Sequence, residues 1–383
     1  MKFLINYFEK SKQLAFFSSI YLLILILWYY FFLLNNNFDL ILSLSGNENY
    51  YFEPFLSLYV YNFFQESEFF HIISILNIVI IPFLTLMLLF KVYNYFIDSK
   101  YAFLFSLVSI SIFNESNFRD FLFKVIRLDF MNFHSVNDFP LIFKLPFPSF
   151  SVLIFLVIFL MILRIVQFNN LKFILITTIS SLYFYVNALD SLFILIVWFF
   201  YLILNLRKLN KLKYFFIYST LSLTLLTPGL FLSTIIQDEF YTQSNSYNIV
   251  LYNLFPLMLS FVFFYIKRID ITQVWFKFKF IYLLLITEIL INFIVYFKIF
   301  NIDLSILNKQ IFQFMIHLLY YTPIVYYGAI KSRNYKFGTE SNILSKSLSS
   351  LIFNLIVKYK NIVFNLLIVF LLLYNLPLNY IYG

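Results

Sequence analysis

The sequence predicts an all-α membrane protein, a polytopic bundle of about eleven transmembrane helices (range about 9–12) in which residues 1–383 form a single transmembrane domain. The residues are 62% hydrophobic and only 12% charged, whereas soluble domains are roughly half apolar and about a quarter charged. The apolar residues also occur in runs long enough to cross about 30 Å of hydrocarbon. Because lipid offers no hydrogen bonds, the backbone of such runs is expected to be helical.

Eleven apolar runs are the expected helices. Their predicted bounds are 14–34, 69–90, 101–113, 150–165, 173–186, 191–206, 214–236, 249–266, 280–300, 311–330 and 362–376. Pro82 is expected to kink the second helix and Pro228-Gly229 to break the seventh, because proline removes a backbone donor. Two long outer loops, 35–68 and 114–149, separate the early helices. Residues 118–130 of the second loop have the spacing of a short amphipathic helix lying at the membrane interface.

The basic residues predict the orientation. Most Lys and Arg fall in short segments between alternate helices, namely 91–100, 207–213, 267–279 and 331–350. Short loops rich in Lys and Arg stay in the cytoplasm, so the N-terminus is expected there. The first apolar run is too long for a signal peptide and no small-residue cleavage site follows it. We therefore expect a multi-pass protein, most simply of a bacterial inner membrane, with the mitochondrial inner membrane as the alternative.

Composition excludes several classes of protein. The net charge of +9 is explained by topology anchors, so nucleic acid is not expected as a partner. With no cysteine in the chain, disulfides, thiol nucleophiles and cysteine metal sites are excluded. The three histidines, His71, His134 and His317, lie too far apart for a metal-ligand motif. No metal and no cofactor is expected.

Carboxylates in the first outer loop are candidate catalytic residues. Asp39, Glu48 and Glu53 lie in a segment that holds no Lys or Arg. A lone carboxylate near the bilayer surface can act as a general base. The alternative is that these acids only keep the loop solvated.

Cations in the second outer loop are candidate phosphate ligands. Arg119, Lys124 and Arg127 depart from the rule that positive charge stays in the cytoplasm, and the arginine fork matches phosphate oxygens. The alternative is exposed ion pairs with Asp120 and Asp129, which contribute little energy.

Three ionisable residues fall within predicted helices. Glu288 lies about eight residues into the ninth helix, where a charge costs a few kcal/mol and therefore indicates function. The alternative is a hydrogen-bonded packing residue. His317, in the tenth helix, is a candidate partner for Glu288. Arg164, near the cytoplasmic end of the fourth helix, is expected to extend toward the membrane surface.

Several motifs between residues 114 and 198 resemble a known group of proteins. Phe118-Arg119-Asp120 is followed by Pro146-Phe147-Pro148-Ser149-Phe150-Ser151 at a helix entry, and then by a helix that ends in Tyr183-Phe-Tyr-Val-Asn187. Later in the chain, Leu318-Leu-Tyr-Tyr-Thr-Pro-Ile-Val-Tyr-Tyr327 has the same character. This succession resembles GT-C-type glycosyltransferase-like membrane proteins of surface-polysaccharide biosynthesis, over about half the chain.

The resemblance implies a function. Such enzymes take a sugar from a polyprenyl-phosphate-linked donor, and a carboxylate of the first outer loop is the base. By position this role falls to Glu48, or to Asp39 or Glu53, with Arg119 or Arg127 stabilising the departing phosphate. The usual neighbouring pair of carboxylates is absent, because Glu48 stands between two asparagines. The implied partners are a lipid-linked sugar donor and membrane lipid.

Two other classes remain open on the sequence. The shortage of Gly and the absence of Cys also suit an organelle-encoded or accessory hydrophobic subunit of a respiratory membrane complex. Residues Leu283–Leu290, around Glu288, resemble a helix of cytochrome oxidase subunit III. The third class is a lipid-linked oligosaccharide polymerase or flippase, which would predict a charged central cavity, and Arg164 and Glu288 are too few to indicate one.

Overall fold

The computed structural model describes nine stretches of the chain: residues 12–35, 75–114, 149–164, 170–186, 188–205, 211–236, 247–296, 317–334 and 362–376. Within these stretches the backbone is helical apart from short turns, and they contain no strand. The all-α fold class is therefore confirmed for the part of the chain that the structure describes.

Each predicted apolar run overlaps one observed helix. The helices are α1 Lys12–Asn35, α2 Ile81–Phe96, α3 Ser99–Asn114, α4 Ser149–Leu163, α5 Asn170–Leu182, α6 Ala188–Asn205, α7 Lys211–Ile236, α8 Tyr247–Lys267, α9 Ile271–Tyr296, α10 Thr322–Asn334 and α11 Ile362–Tyr374. A wide π turn, Leu76–Ile80, precedes α2. A 3-10 turn, Tyr183–Tyr185, follows α5, and another, His317–Tyr321, leads into α10.

Two helices of the described stretches have the length and apolar composition needed to cross a membrane. They are Lys12–Tyr30 and Leu76–Phe96. Five further apolar helical stretches are shorter, between 10 and 17 residues.

Proline affects the two helices in different ways. Pro82 lies in the first turn of α2, directly after the π turn. Proline has no N–H, and its ring crowds the carbonyl four residues earlier. In an α-helix this crowding would cause strain just before Pro82, and the wider π turn lies at that place. Pro228, by contrast, lies inside α7, which runs on to Ile236. The expected break at Pro228-Gly229 is therefore not observed.

Two predicted basic loops are mostly helical. In the segment 91–100, α2 extends to Phe96 and α3 begins at Ser99. In the segment 267–279, α9 already begins at Ile271. The charged residues misled the prediction, because lysine stems can cover apolar helix surface while the ammonium group reaches past it.

The short turn between α8 and α9 is specified by two residues. Arg268 has a positive φ of 49° and ends α8. Its N–H donates to the carbonyl of Tyr265, and the N–H of Ile269 donates to that of Phe264, the bonding pattern of a Schellman motif. Asp270 then caps α9, since its carboxylate accepts the N–H of Thr272 at 2.9 Å. The two helices are thus joined as an antiparallel hairpin.

One core joins the helices. It contains buried aromatic residues from α2, α3, α4, α5 and α6, such as Tyr93, Phe103, Phe155, Phe173 and Trp198. Ring contacts link helices distant in sequence: Phe96 of α2 stacks on Phe278 of α9, with centroids 5.9 Å apart. Aromatic packing of this kind suits a chain with only 5 glycines, because close helix approach through glycine is rarely available to it.

The Lys and Arg residues lie at one end of the bundle. Ring contacts show which helix ends lie at the same level, that is, at the same height along the axis of the bundle. The contacts join α5 to α7, α8 to α10 and α3 to α11, through the pairs Phe173 and Tyr214, Phe264 and Tyr327, and Tyr101 and Phe364. In the described stretches every Lys and Arg belongs to this level; they are Lys12, Lys91, Lys100, Arg164, Lys172, Lys211, Lys213, Lys267, Arg268, Lys277, Lys279, Lys331 and Arg333. We call this level the basic end and the other the opposite end.

We expect Asp270→Ala to lower the free energy of unfolding by about 1 kcal/mol, because the substitution removes the cap of α9. Denaturant titration of the detergent-solubilised protein, followed by circular dichroism, would measure the change. Asp270→Asn is the matched control, since an asparagine side chain also accepts the N–H of Thr272. Equal losses in the two variants would show that the cap contributes nothing.

Candidate functional site

The structure describes three of the predicted site residues. Arg164 is exposed immediately after α4, in line with its expected place at a helix end. Glu288 is buried, with 1% of its surface exposed. His317 is the first residue of a 3-10 turn, but its side chain lies outside the description. The remaining candidates also lie outside the described residues: Asp39, Glu48, Glu53, Arg119, Lys124 and Arg127.

Glu288 is paired with a tyrosine. The hydroxyl of Tyr320, in the turn before α10, donates a hydrogen bond to Oε2 of Glu288 in α9. Tyr320 is also only 1% exposed. A buried carboxylate is costly unless a donor compensates for the lost water, so Tyr320 gives Glu288 its local support. The predicted pairing of Glu288 with His317 is not tested by the described side chains.

The Glu288 pair belongs to a larger polar cluster. Tyr93 of α2 lies close enough to Tyr320 for their hydroxyls to interact electrostatically. The Tyr93 hydroxyl is also 2.7 Å from Oγ of Ser109 in α3. Neither Tyr93 nor Ser109 is exposed. Glu288, Tyr320, Tyr93 and Ser109 therefore form a buried polar cluster to which four separate elements contribute, and we call it the Glu288 cluster.

A second buried carboxylate lies at the opposite end of the bundle. Asp190, in the first turn of α6, is 1% exposed. The hydroxyl of Tyr183 donates to the Ser151 carbonyl of α4 at 2.9 Å and is 3.4 Å from Oδ2 of Asp190. In addition, Oγ of Ser191 donates to the Ser180 carbonyl at 2.6 Å. This Asp190 corner therefore joins the starts of α4 and α6 to the end of α5.

The sequence prediction did not include Asp190, Tyr183 or Tyr320 among the site residues. One signal for Asp190 was available, because a carboxylate in the first turn of a helix is favoured by the helix dipole. It follows Asn187 at an evident break between apolar runs, where a carboxylate is expected at the surface rather than in the core. Tyr183 and Tyr320 lie within motifs of the resemblance, but no local pattern indicates that their hydroxyls bind carboxylates in a chain with 31 tyrosines.

A third polar contact joins the first and last described helices without involving a charged group. The Trp28 indole of α1 donates to the Asn375 carbonyl at 2.9 Å, and the Asn375 amide donates to Oγ of Ser111 in α3 at 3.0 Å. These bonds tie α1, α3 and the segment after α11 together at the opposite end. This contact has the character of packing between helices.

The described residues contain no group of three or more His, Cys, Asp or Glu that could hold a metal ion. Each of the two buried carboxylates lies beside a tyrosine hydroxyl, an arrangement that supports hydrogen bonding and proton binding. Asp190 lies at the bundle end that the long segments 36–74 and 115–148 adjoin in sequence, whereas Glu288 lies deeper among the helices.

Comparison with known proteins gives no relative: no protein-family model, no curated protein and no solved structure matches the chain.

We expect Glu288 and Tyr320 to be energetically coupled. In a double-mutant cycle of Glu288→Gln and Tyr320→Phe, the coupling energy should be about 0.5–2 kcal/mol, because each variant removes one partner of the same buried hydrogen bond. Unfolding of the detergent-solubilised variants would supply the free energies. Tyr326→Phe in place of Tyr320→Phe is the control and should give a coupling below about 0.5 kcal/mol. Similar values in both cycles would contradict a specific pair.

Proposed function

We propose that the chain is a multi-pass membrane protein with its basic end in the cytoplasm. The supporting observation is the distribution of side chains over the bundle. Large apolar residues are exposed on its sides, including Tyr265 at 87%, Phe276 at 79%, Met258 at 66% and Leu223 at 66%. Soluble monomers rarely leave such patches in water, whereas lipid covers them at no cost.

The gathering of cations at one end supports the orientation. Every Lys and Arg of the described helices lies at the basic end, as expected where the two membrane faces differ in their tolerance for positive charge. The alternating directions of successive helices bring this about, since cations far apart in sequence arrive at the same level. If the Lys and Arg residues were spread evenly over both ends of the bundle, they would not predict which end faces the cytoplasm.

Cysteine labelling tests the arrangement directly, because the chain has no native cysteine. Single cysteines at Asn47 and Asn132 should react with a membrane-impermeant maleimide in intact cells. Cysteines at Asn210 and Ser345 should react only after permeabilisation. The proposal fails if positions 47 and 132 are labelled from opposite faces, or if the protein is released from membranes by carbonate.

Within this arrangement, the proposed activity is transfer of a sugar from a polyprenyl-phosphate-linked donor in surface glycan synthesis. The observation in its favour is the contact between two motifs of the resemblance. The backbone carbonyl of Ser151, the last residue of the proline-rich motif, accepts a hydrogen bond from the hydroxyl of Tyr183, the first residue of the Tyr183–Asn187 motif. Asp190 is buried beside them, at the end where the outer loops attach.

The proposed chemistry assigns one role to each outer loop. Glu48, or Asp39 or Glu53, takes the proton from an acceptor hydroxyl, and that oxygen attacks the anomeric carbon of the donor sugar. The bond from the anomeric carbon to the phosphate oxygen breaks with its electron pair, and the lipid phosphate leaves. Arg119, Lys124 and Arg127 stabilise the negative charge on the departing phosphate.

A transfer assay with isolated membranes and a radiolabelled polyprenyl-phosphate sugar tests this activity. Glu48→Gln should lower product formation by about 10²–10⁴-fold, the usual contribution of a general base. Glu66→Gln, in the same loop, should leave it unchanged. If Glu48→Gln, Asp39→Asn and Glu53→Gln all transfer the sugar at the unaltered rate, the first outer loop does not supply the base.

The Glu288 cluster favours a second candidate, a lipid-linked oligosaccharide flippase or polymerase. A buried carboxylate among helices, held by Tyr320, is a feature of membrane transport pathways. If the chain is such a protein, Glu48→Gln should leave glycan production unchanged, whereas Glu288→Gln should abolish it. Co-purification with oxidase or dehydrogenase subunits, without any glycan defect, would instead indicate the respiratory-subunit class.

A further inference from the structure

Two different sets of contacts hold α7 in the bundle along its length. Toward the basic end, Tyr214 belongs to the main core and Tyr218 packs against it. Phe173 of α5 packs on Tyr214 with ring centroids 5.0 Å apart, and Phe199 of α6 packs on Tyr218 at 5.5 Å. We call residues 211–221 the anchored half of α7.

Toward the opposite end, α7 packs on a smaller core. Leu226 joins Phe184, in the turn after α5, and Leu195 of α6 in a cluster of three buried side chains that is separate from the main core. We call this cluster the small core, and we call residues 222–236 the far half of α7. Because a small cluster buries less apolar surface than the main core, it holds its part of the helix less firmly.

A tyrosine hydroxyl braces each half of α7. Tyr185, next to Phe184 in the same turn, donates to the carbonyl of Leu225 in the far half at 2.8 Å. Tyr218, in the anchored half, donates to the carbonyl of Leu195 in α6, also at 2.8 Å. A single neutral hydrogen bond contributes little net free energy, so the far half can leave its brace without unfolding the bundle.

The far half also contains three features that loosen a helix. Pro228 has no N–H, so the carbonyl of Thr224 receives no donor from the residue four positions later. The hydroxyl of Thr224 donates to the carbonyl of Thr220 at 2.7 Å. The hydroxyl of Thr227 donates to the carbonyl of Leu223 at 2.5 Å. Such bonds to the preceding turn favour bending, so α7 bends most readily here although it stays helical.

The turn that braces α7 also forms part of the Asp190 corner. Its first residue, Tyr183, contacts the Ser151 carbonyl and the Asp190 carboxylate. The second, Phe184, lies in the small core, and the third, Tyr185, holds the far half of α7. Movement of the far half away from this turn would therefore open the bundle directly beside the Asp190 corner.

The outer face of the far half is free to meet the bilayer. Leu223 is 66% exposed, and Thr224 and Thr227 are exposed as well. In a membrane these side chains face lipid, which yields when a helix moves. The anchored half stays in the main core during such a movement, so the expected motion is a swing of the far half alone.

We propose that the far half of α7 is a lateral gate, which swings away from the turn Tyr183–Tyr185 and admits a lipid chain from the bilayer to the Asp190 corner. The chain is the polyprenyl chain of the donor, an identity that rests on the proposed glycosyl transfer. Such a chain is long and apolar, so it reaches a site among helices from the bilayer rather than through water. The open gate offers it the apolar side chains of the small core.

The swing can be measured by double electron–electron resonance on the full-length protein, because the absence of native cysteine allows spin labels at chosen positions. The gate pair is Leu182→Cys with Thr227→Cys, at exposed positions of α5 and the far half. The reference pair is Leu171→Cys with Phe216→Cys, at exposed positions near the basic end. In nanodiscs with polyprenyl phosphate, the gate pair should show a second, longer distance and the reference pair a single one.

Substitutions in the gate pair background test the brace and the proline. Tyr185→Phe keeps the ring and should raise the ratio of long to short distances about fivefold, because one neutral hydrogen bond that closes the gate is lost. Tyr218→Phe is the matched control: it removes the same kind of bond from the anchored half and should leave the ratio unchanged. Pro228→Ala should lower the ratio, because alanine restores a donor to the Thr224 carbonyl.

A single short distance in both the unsubstituted protein and Tyr185→Phe would overturn the gate. Equal increases in the two tyrosine variants would also overturn it, because α7 would then loosen as a whole. Phosphatidic acid replaces polyprenyl phosphate as the lipid control, since it carries a phosphate group without an isoprenoid chain. An equal ratio with both lipids would overturn the polyprenyl chain as the molecule that the gate admits.

The gate and the proposed transfer can fail separately. If polyprenyl phosphate produces the long distance but isolated membranes transfer no sugar, the gate is supported and the proposed activity is wrong. If transfer proceeds while the gate pair keeps one short distance under every condition, the gate is wrong and the activity stands.

Discussion

A carboxylate removed from water must have a donor aimed at it, and this requirement accounts for much of how the helices meet. Glu288 and Asp190 are the two buried acids of the described chain, and a tyrosine hydroxyl serves each. The first pair holds α9 against the turn before α10. The second holds the end of α5 against α6, and its tyrosine also reaches α4. Removing either tyrosine would take a hydrogen-bond donor away from a buried carboxylate, which is costly because the lost bond is not replaced by water.

Smaller polar side chains satisfy the same requirement within their own helices. The hydroxyls of Thr85, Ser106, Ser111, Thr177 and Thr287 each donate to the carbonyl four residues earlier. Bonded in this way, a serine or threonine presents little unsatisfied polarity to its neighbours. The helices can therefore carry many hydroxyl groups and still pack through aromatic rings, as in the contact of Phe159 with Phe280.

The sequence was sufficient to predict where the helices lie, but it was insufficient to predict which residues contact the charged side chains. Apolar runs give helix positions because the backbone in an apolar setting has one common solution, and Glu288 is recognisable because a carboxylate in such a run is rare. Its partner Tyr320 is 32 residues away, and no local pattern distinguishes it from the other tyrosines. Lys277 and Lys279 made the start of α9 look like a loop, although both lie over aromatic rings. The two residues that shorten this turn, Arg268 and Asp270, act through backbone geometry that charge patterning does not reveal.

The wide turn at Leu76–Ile80 also affects the surface of the helix that it precedes. A π turn contains one residue more than the α-helical turn that it replaces, and each residue of an α-helix advances the side chains by about 100° around the axis. The side chain of Ile75, the described residue before the turn, is therefore rotated by about 100° relative to an uninterrupted α2. Asn77, within the turn, is fully buried, so this turn places an amide group inside the core at the start of the helix.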